Sequence, residues 1–178
     1  MLKIPGSFAY VRQQEPAGLG HAVWCARHLV GNEPVAVILA DDLIKGSNTI
    51  KEMISNYNSG NMLAIMDVNN QDVSSYGIIS PGKTLENNMT EILGLIEKPS
   101  IEKAPSNMAV VGRYIIEPSV FKELEKQNRG TSNEIQLTDA IANRIGKSHC
   151  YGYKFTNDRF DCGSKLGFIQ ANIKLSIE

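Results

Sequence analysis

The fold turns on Val35-Ala36-Val37-Ile38-Leu39-Ala40-Asp41-Asp42. Its apolar residues run without polar alternation, which predicts a strand buried on both faces in the middle of a parallel sheet. The run ends in two carboxylates. Ligands of open α/β sheets sit beyond the carboxyl ends of the strands. An acid placed there offers the oxygen donors that a hard divalent cation takes. On this stretch alone turn chemistry is the readier account of the pair, because Asp is favoured where strands end.

Upstream, Phe8-Ala9-Tyr10-Val11 predicts a short strand, and Glu15-Pro16-Ala17-Gly18-Leu19-Gly20-His21 a loop. Close glycines let backbone approach a ligand, or simply make a tight strand-to-helix turn. The segment is not G-x-G-x-x-G, so it carries no dinucleotide fingerprint. Leu19, Val23, Ala26 and Val30 share one face of a helix that Gly31-Asn32 ends. His21 and His28 on or near it read as packing or surface groups.

Downstream, Ser47 or Asn48 caps a helix whose apolar face is Ile50, Met53, Ile54 and Tyr57. Met62–Met66 is a second buried strand, so the order β-α-β-α-β predicts parallel pairing with right-handed crossovers. From about residue 70 to 116 the texture changes to antiparallel strands, 76–79 and 91–96, around a Pro81-Gly82 turn. A strand over 107–116 with Gly112 inside it follows, a sign of close approach. Pro118 opens a short helix (Val120, Phe121, Leu124) that Gly130 breaks. Thr131-Ser132-Asn133-Glu134 has the form of a capping box for a helix carrying Leu137, Ile141 and Ile145. A last strand over 151–155 precedes Arg159-Phe160-Asp161-Cys162-Gly163. The final helix is capped by Ser164, with Leu166, Ile169 and Ile173 expected inward. The whole reads as one α/β domain over 1–178, with 70–116 as an insertion within it.

Composition narrows the function. The chain has 178 residues, 42% hydrophobic and 21% charged, with a formal charge of −1. It lacks the Lys/Arg cluster that nucleic-acid affinity needs, so no nucleic-acid partner is expected. Three cysteines without C-x-x-C spacing indicate neither a disulfide framework nor a zinc site. No run has membrane-span length and no signal peptide is recognised, so the cytoplasm is the expected compartment.

Asp41, the pair Glu97-Lys98, and Asp161 each sit where an apolar run gives way to a turn. Two carboxylates can bracket Mg²⁺, a lysine can neutralise a phosphate, and a glutamate can accept hydrogen bonds from sugar hydroxyls. Spacing alone does not bring them together, and by itself Glu97-Lys98 reads first as a solvated surface pair.

A resemblance joins them. Gly18-Leu19-Gly20-His21-Ala22, Val37-Ile38-Leu39-Ala40-Asp41-Asp42, Glu97-Lys98-Pro99, Ala104-Pro105-Ser106-Asn107, Gly112-Arg113-Tyr114, Glu134-Ile135-Gln136-Leu137-Thr138-Asp139-Ala140-Ile141 and Asp161-Cys162-Gly163 occur in this order. Together they resemble the bacterial UTP–glucose-1-phosphate uridylyltransferases along nearly the whole chain. The resemblance implies a Rossmann-like mixed sheet flanked by helices. It also implies transfer of a uridylyl group from UTP to glucose 1-phosphate, giving UDP-glucose and pyrophosphate. By the same resemblance, Gln13 and Gly18 meet the uracil base, and Asp41 and Asp161 hold a catalytic Mg²⁺. Gly77, Glu97 and Asn107 line the glucose pocket, with Val110 and Tyr114 as further sugar-site positions. Lys98 pairs with the phosphate of glucose 1-phosphate, and Lys165 is a polar contact.

The family begins with a strand and a G-x-G-T-R loop that cradles the triphosphate, and no such motif occurs here. The sequence therefore reads as N-terminally truncated. The isolated chain is expected to be weak or inactive, and its exposed strands to drive homo-oligomerisation. The competing readings are a non-catalytic module that binds UDP-glucose or a sugar phosphate, a related thymidylyltransferase, and a purely structural subunit.

Overall fold

The structure is a computed structural model that describes residues 8–46, 48–126 and 133–177. Strands β1 (Val35–Ile38), β3 (Asn61–Asp67), β4 (Gly77–Thr84), β5 (Met89–Glu97), β6 (Met108–Ile116) and β7 (Cys150–Lys154) form one six-stranded sheet in the order β1-β6-β3-β7-β5-β4. A separate two-stranded ribbon joins β2 (Asp42–Ile44) to β8 (Arg159–Asp161). The helices are α1 (Leu19–Cys25), α2 (Thr49–Asn56), α3 (Ser119–Lys126), α4 (Leu137–Ala142) and α5 (Lys165–Ser176).

Strand β3 sets the layers. Its side chains alternate between the two faces of the sheet, and both faces are covered. Leu63 and Ile65 pack with Leu19 and Val23 of α1, Val120 and Leu124 of α3, and Leu137 and Ile141 of α4. Met62 and Ala64 face the other way, against Met53, Ile50 and Tyr57 around α2. The result is an α/β/α arrangement with a mixed sheet, as the resemblance implied.

Several local expectations are corrected. Val35–Ile38 is not a central strand buried on both faces. Among the described residues it is an edge strand, antiparallel to β6, with Ala36 and Ile38 exposed and Val35 and Val37 packed inward. The parallel β-α-β-α-β sheet is interrupted because β6 runs antiparallel between β1 and β3. The parallel pair is β3 with β7. Residues 8–11 form no strand and are exposed. Pro81-Gly82 lies inside β4, where the register shifts; the chain reverses later, at Asn87 and Asn88, both at positive φ. A bulge absorbs the missing proline N–H. Asn48 caps α2 by accepting from the Lys51 N–H, but Ile54 points to solvent. Ser47, Gly130, Thr131 and Ser132 lie outside the described residues. The helix that the capping box was expected to open begins only at Leu137, and Glu134 instead accepts from the Gln136 amide.

The largest correction is α5. Ser164 caps it as expected, accepting from the Gly167 N–H at 3.0 Å. Yet Leu166, Ile169 and Ile173 are 67%, 54% and 55% exposed, and only Gly167 and Ala171 are buried. The small residues form the packing face because α5 approaches β8 closely. A Cβ on Gly167 would fall 2.0 Å from the Asp161 carbonyl oxygen. Among the described residues no helix is long and apolar enough to cross a membrane.

Glu117, just past β6, ties the far end of the sheet together. Its carboxylate accepts from the hydroxyls of Ser119 and Ser148 and from Arg144 Nε, while its N–H donates to the Asn61 side-chain oxygen. Burial pushes its pKa up, but the hydrogen bonds from Ser119, Ser148 and Arg144 outweigh this, and the net shift is downward. A carboxyl whose folded pKa is depressed contributes stability above its unfolded pKa and loses it as pH falls through the folded value. Urea midpoints followed from pH 6 downward should therefore fall below about pH 4, the ordinary glutamate range. Glu117→Gln should flatten that acid limb.

Candidate active site

A cavity of about 330 Å³ opens where β1, β5 and β6 meet the β2–β8 ribbon. Asp41, Gly77, Glu97, Lys98, Val110, Tyr114 and Asp161 all line it. A larger cavity of about 550 Å³ lies at the opposite end of β3 and β7, around Gly60 and Cys150. There one oxygen of the Glu117 carboxylate, Oε1, already accepts from Ser119, Ser148 and Arg144. Chemistry-bearing groups gather at the smaller cavity.

Backbone pairing assembles its acidic side. Asp42 lies opposite Asp161 across the β2–β8 ribbon, and the Cys162 N–H donates to the Asp41 carbonyl at 2.7 Å. Residues distant in sequence thereby become neighbours. A Cβ on Gly163 would sit 3.0 Å from Asp41 Oδ2 and 3.1 Å from Asp161 Oδ1, so the two carboxylate oxygens lie within about 6 Å of each other. Only a residue without a side chain leaves that space open. The Gly163 N–H donates to Asp161 Oδ1 and orients it. Among the described residues no group of three or more metal-binding side chains occurs. A carboxylate pair suits Mg²⁺, which is commonly held by one or two carboxylates and completed by substrate phosphates and water.

The opposite side is built from β4 and β5. Gly77 pairs with Glu97 across the two strands. The Thr138 hydroxyl, on α4, donates to Glu97 Oε2 at 2.7 Å and fixes one carboxylate oxygen. The side chain of Glu97 is 11% exposed and that of Lys98 43%, so the glutamate is anchored while the ammonium, 3.8 Å from Glu97 Oε1, reaches toward solvent. Tyr114 is buried on β6. Burial, and then the carboxylates of Glu97 and Asp42, push its pKa upward, so it stays a neutral hydroxyl.

Other expected site residues lie elsewhere. Gln13 and Gly18 do not line the cavity, although Leu19 does. The Gln13 amide donates to the Gly18 carbonyl at 3.1 Å and pairs with His21 Nδ1 at 3.0 Å. Gly18 sits at φ 100°, and a Cβ there would strike Glu134 and Ile135 at 2.8 Å. Asn107 lines a separate small cavity with Val73 and Ser106 and donates to the Val68 carbonyl. Lys165 is exposed at the start of α5.

Sequence reasoning missed Asp42, Arg159, Tyr76 and Thr138. Asp42 is 5% exposed and forms an ion pair with Arg159 Nε, and Arg159 NH1 donates to the Tyr76 hydroxyl. The Asp41-Asp42 doublet held a signal for two carboxylates with opposite fates, one solvated and one buried. Asp41 lies in the turn between β1 and β2, whereas Asp42 opens β2 and is buried with it.

Lys98 adopts φ 45°, a left-handed conformation that side chains other than Gly rarely take, and its N–H donates to the Tyr76 carbonyl. Such strain persists at functional positions when surrounding contacts enforce it. Lys98→Gly should therefore leave stability unchanged or raise it by up to about 1 kcal/mol in urea unfolding, despite the lost ion pair. A clear drop would mean that the backbone there is unstrained.

The Nucleotidyl transferase family pattern matches residues 3–177. A UTP–glucose-1-phosphate uridylyltransferase of Staphylococcus saprophyticus is 40% identical over 172 residues, 95% of this chain and 60% of its own length. A UDP-glucose pyrophosphorylase solved in complex with UDP-glucose is 42% identical and superposes with a TM-score of 0.90, covering 96% of this chain and 67% of its own. A UTP-bound UGPase from Acinetobacter baumannii is 38% identical with a TM-score of 0.80, covering 93% and 58%. The chain spans about 60% of the length of the curated relatives it matches. With an α/β mixed sheet and a family pattern along almost its whole length, the chain belongs to the nucleotidyl transferase family.

Proposed function

We propose that this chain carries the metal and sugar side of a UTP–glucose-1-phosphate uridylyltransferase site. The observation that carries this reading is the convergence of Asp41 and Asp161 around Gly163, in one cavity with Glu97 and Lys98. The reaction is an in-line attack by a phosphate oxygen of glucose 1-phosphate on the α-phosphorus of UTP. Pyrophosphate leaves, and no covalent enzyme intermediate forms. Asp41 and Asp161 would hold Mg²⁺, which when bound supplies charge withdrawal from the phosphates. Glu97, held by Thr138, accepts from sugar hydroxyls. Lys98 offsets the repulsion between two anions that must meet. Gly77, Val110 and Tyr114 shape the glucose pocket, within the 70–116 segment that supplies β4, β5 and β6. Gln13 and Gly18 are assigned to the uracil base, and Asn107 and Lys165 to outer polar contacts. The cytoplasm is the compartment this chemistry fits.

A second reading is favoured by one observation: these 178 residues contain no G-x-G-T-R triphosphate cradle. The chain would then bind UDP-glucose or glucose 1-phosphate without turnover. Pyrophosphorolysis with UDP-glucose, pyrophosphate and Mg²⁺ separates the two. Turnover that falls at least a hundredfold in Asp41→Ala or Asp161→Ala, with UDP-glucose affinity changed far less, establishes the transferase. Equal losses in rate and sugar binding would sink the metal role. No turnover, with UDP-glucose still raising the melting temperature, establishes the binding module. Competition by dTTP against UTP tests the thymidylyltransferase alternative.

Assembly is proposed from two surfaces. Strand β1 is bonded only to β6 among the described residues, and Ile38 beside its outer edge is 54% exposed. Helix α5 exposes Leu166, Phe168, Ile169 and Ile173. An open strand edge and an apolar patch both favour association. Light scattering should show a mass above 19.6 kDa, the mass of one chain. A monodisperse monomer at high concentration would refute it.

A further inference from the structure

We infer that Arg159 is a positioning residue that sets the spacing of the Asp41–Asp161 carboxylate pair against the sugar pocket, an inference that rests on the metal reading above. Its guanidinium joins segments that each carry a cavity residue. Nε pairs with Asp42, next to Asp41, and NH1 donates to the Tyr76 hydroxyl at 3.0 Å, next to Gly77. The guanidinium carbon lies 5.5 Å from the centre of the Tyr76 ring, so stacking adds to the hydrogen bond. Tyr76 in turn accepts the Lys98 N–H on its carbonyl at 2.9 Å. Arg159 itself stands two residues before Asp161 on β8.

The ribbon needs such a clamp. Among the described residues it has only three paired positions and belongs to a sheet of its own. Two short strands alone are marginal. Asp42 completes the attachment: its Oδ2 accepts from the Gly112 N–H at 2.5 Å, and its carbonyl accepts from Arg113 NH2 at 2.6 Å, both groups on β6. A Cβ on Gly112 would lie 2.6 Å from Asp42 Oδ2, so β6 carries glycine where the carboxylate lands. Hence one ion pair fixes the ribbon to β6 on one side and to the start of β4 on the other. A buried pair of this kind is weak evidence for net stability, because desolvation offsets attraction. Its geometric consequence is large, since a site held loosely by even an ångström loses function.

Lysine at position 159 keeps the charge beside Asp42 but has no planar fork to span Asp42 and Tyr76 at once. The test titrates Mn²⁺ into the 178-residue chain by electron paramagnetic resonance, with and without UDP-glucose, alongside thermal melts by circular dichroism. Arg159→Lys should melt cooperatively and bind Mn²⁺ at least tenfold more weakly. That deficit should persist at 10 °C, far below its melting temperature. Tyr76→Phe keeps the ion pair and ring while removing the acceptor of NH1. It should give a smaller loss, about twofold to fivefold, and it decides the matter if Arg159→Lys does not fold. Mn²⁺ affinity unchanged in folded Arg159→Lys, or in Tyr76→Phe where that is the deciding variant, overturns the inference while leaving the metal site standing. A wild-type chain that binds no Mn²⁺ overturns the metal reading, and this inference with it.

Discussion

A carboxylate as deeply buried as that of Asp42 must be paired, because an isolated charge away from water is far too costly to keep. Its two oxygens are taken by Arg159 and by the Gly112 N–H, one group from each side of the cavity. Satisfying Asp42 therefore dictates where β8 lies relative to β6. With β8 in place, Asp161 faces Asp42 in register and the Cys162 N–H caps the Asp41 carbonyl. The neighbouring Asp41 side chain is left exposed, which is the condition for an acid to serve a cation. Burial of one member of the doublet orders the other.

The site holds one conformation that ordinary chain avoids: Lys98, just past the end of β5, is left-handed. Gly112, Gly163 and Gly77 each occupy a position where a Cβ would meet a functional or supporting side chain. These are local departures from good strand and helix sequence. They stand against the two apolar faces around β3, and those faces share side chains with the cavity: Val110, Tyr114 and Leu137 belong to the core and line the site. Packing and site geometry are thus carried in part by the same residues.

What was legible in the sequence follows the range of the forces involved. Periodicity found β3, the core face of α3, Leu19 and Val23 of α1, Leu137 and Ile141 of α4, and the Asn48 and Ser164 caps, because each depends on neighbours within a few residues; α1 ends at Cys25, so Ala26 and Val30 fall past the helix expected to carry them, and Ile145 falls past α4. It failed for β2 and β8, three residues each, whose pairing is entirely long-range. It placed a turn at Pro81-Gly82 because that dipeptide is common in turns. Yet a bulge accommodates it within β4, and the left-handed pair Asn87-Asn88 turns the chain instead. Asp41, Glu97, Lys98 and Asp161 stood out as groups where apolar runs give way to turns, resemblance joined them to Gly77, Val110 and Tyr114, and all seven share one cavity. Asn107 and Lys165 came from the same source and lie outside it. Arg159 and Thr138 act through other side chains, and such partners leave no trace in local pattern.

The misreadings of Val35–Ile38 and of α5 have one cause. An apolar run records that a segment is suited to being covered; it carries no record of what covers it. For β3 the cover lies within the described residues, and expectation and burial agree. For β1 only one neighbour, β6, lies there, so the same run of apolar residues becomes an edge with every second side chain exposed. For α5 the small residues Gly167 and Ala171 take the contact, and the large ones expected to be inward face out. Both elements flank the carboxylate pair: β1 leads into Asp41, and α5 follows Asp161. A cover on either surface would therefore act on the Asp41–Asp161 pair, through the end of β1 that leads into Asp41 and through the junction of β8 with α5 at Asp161.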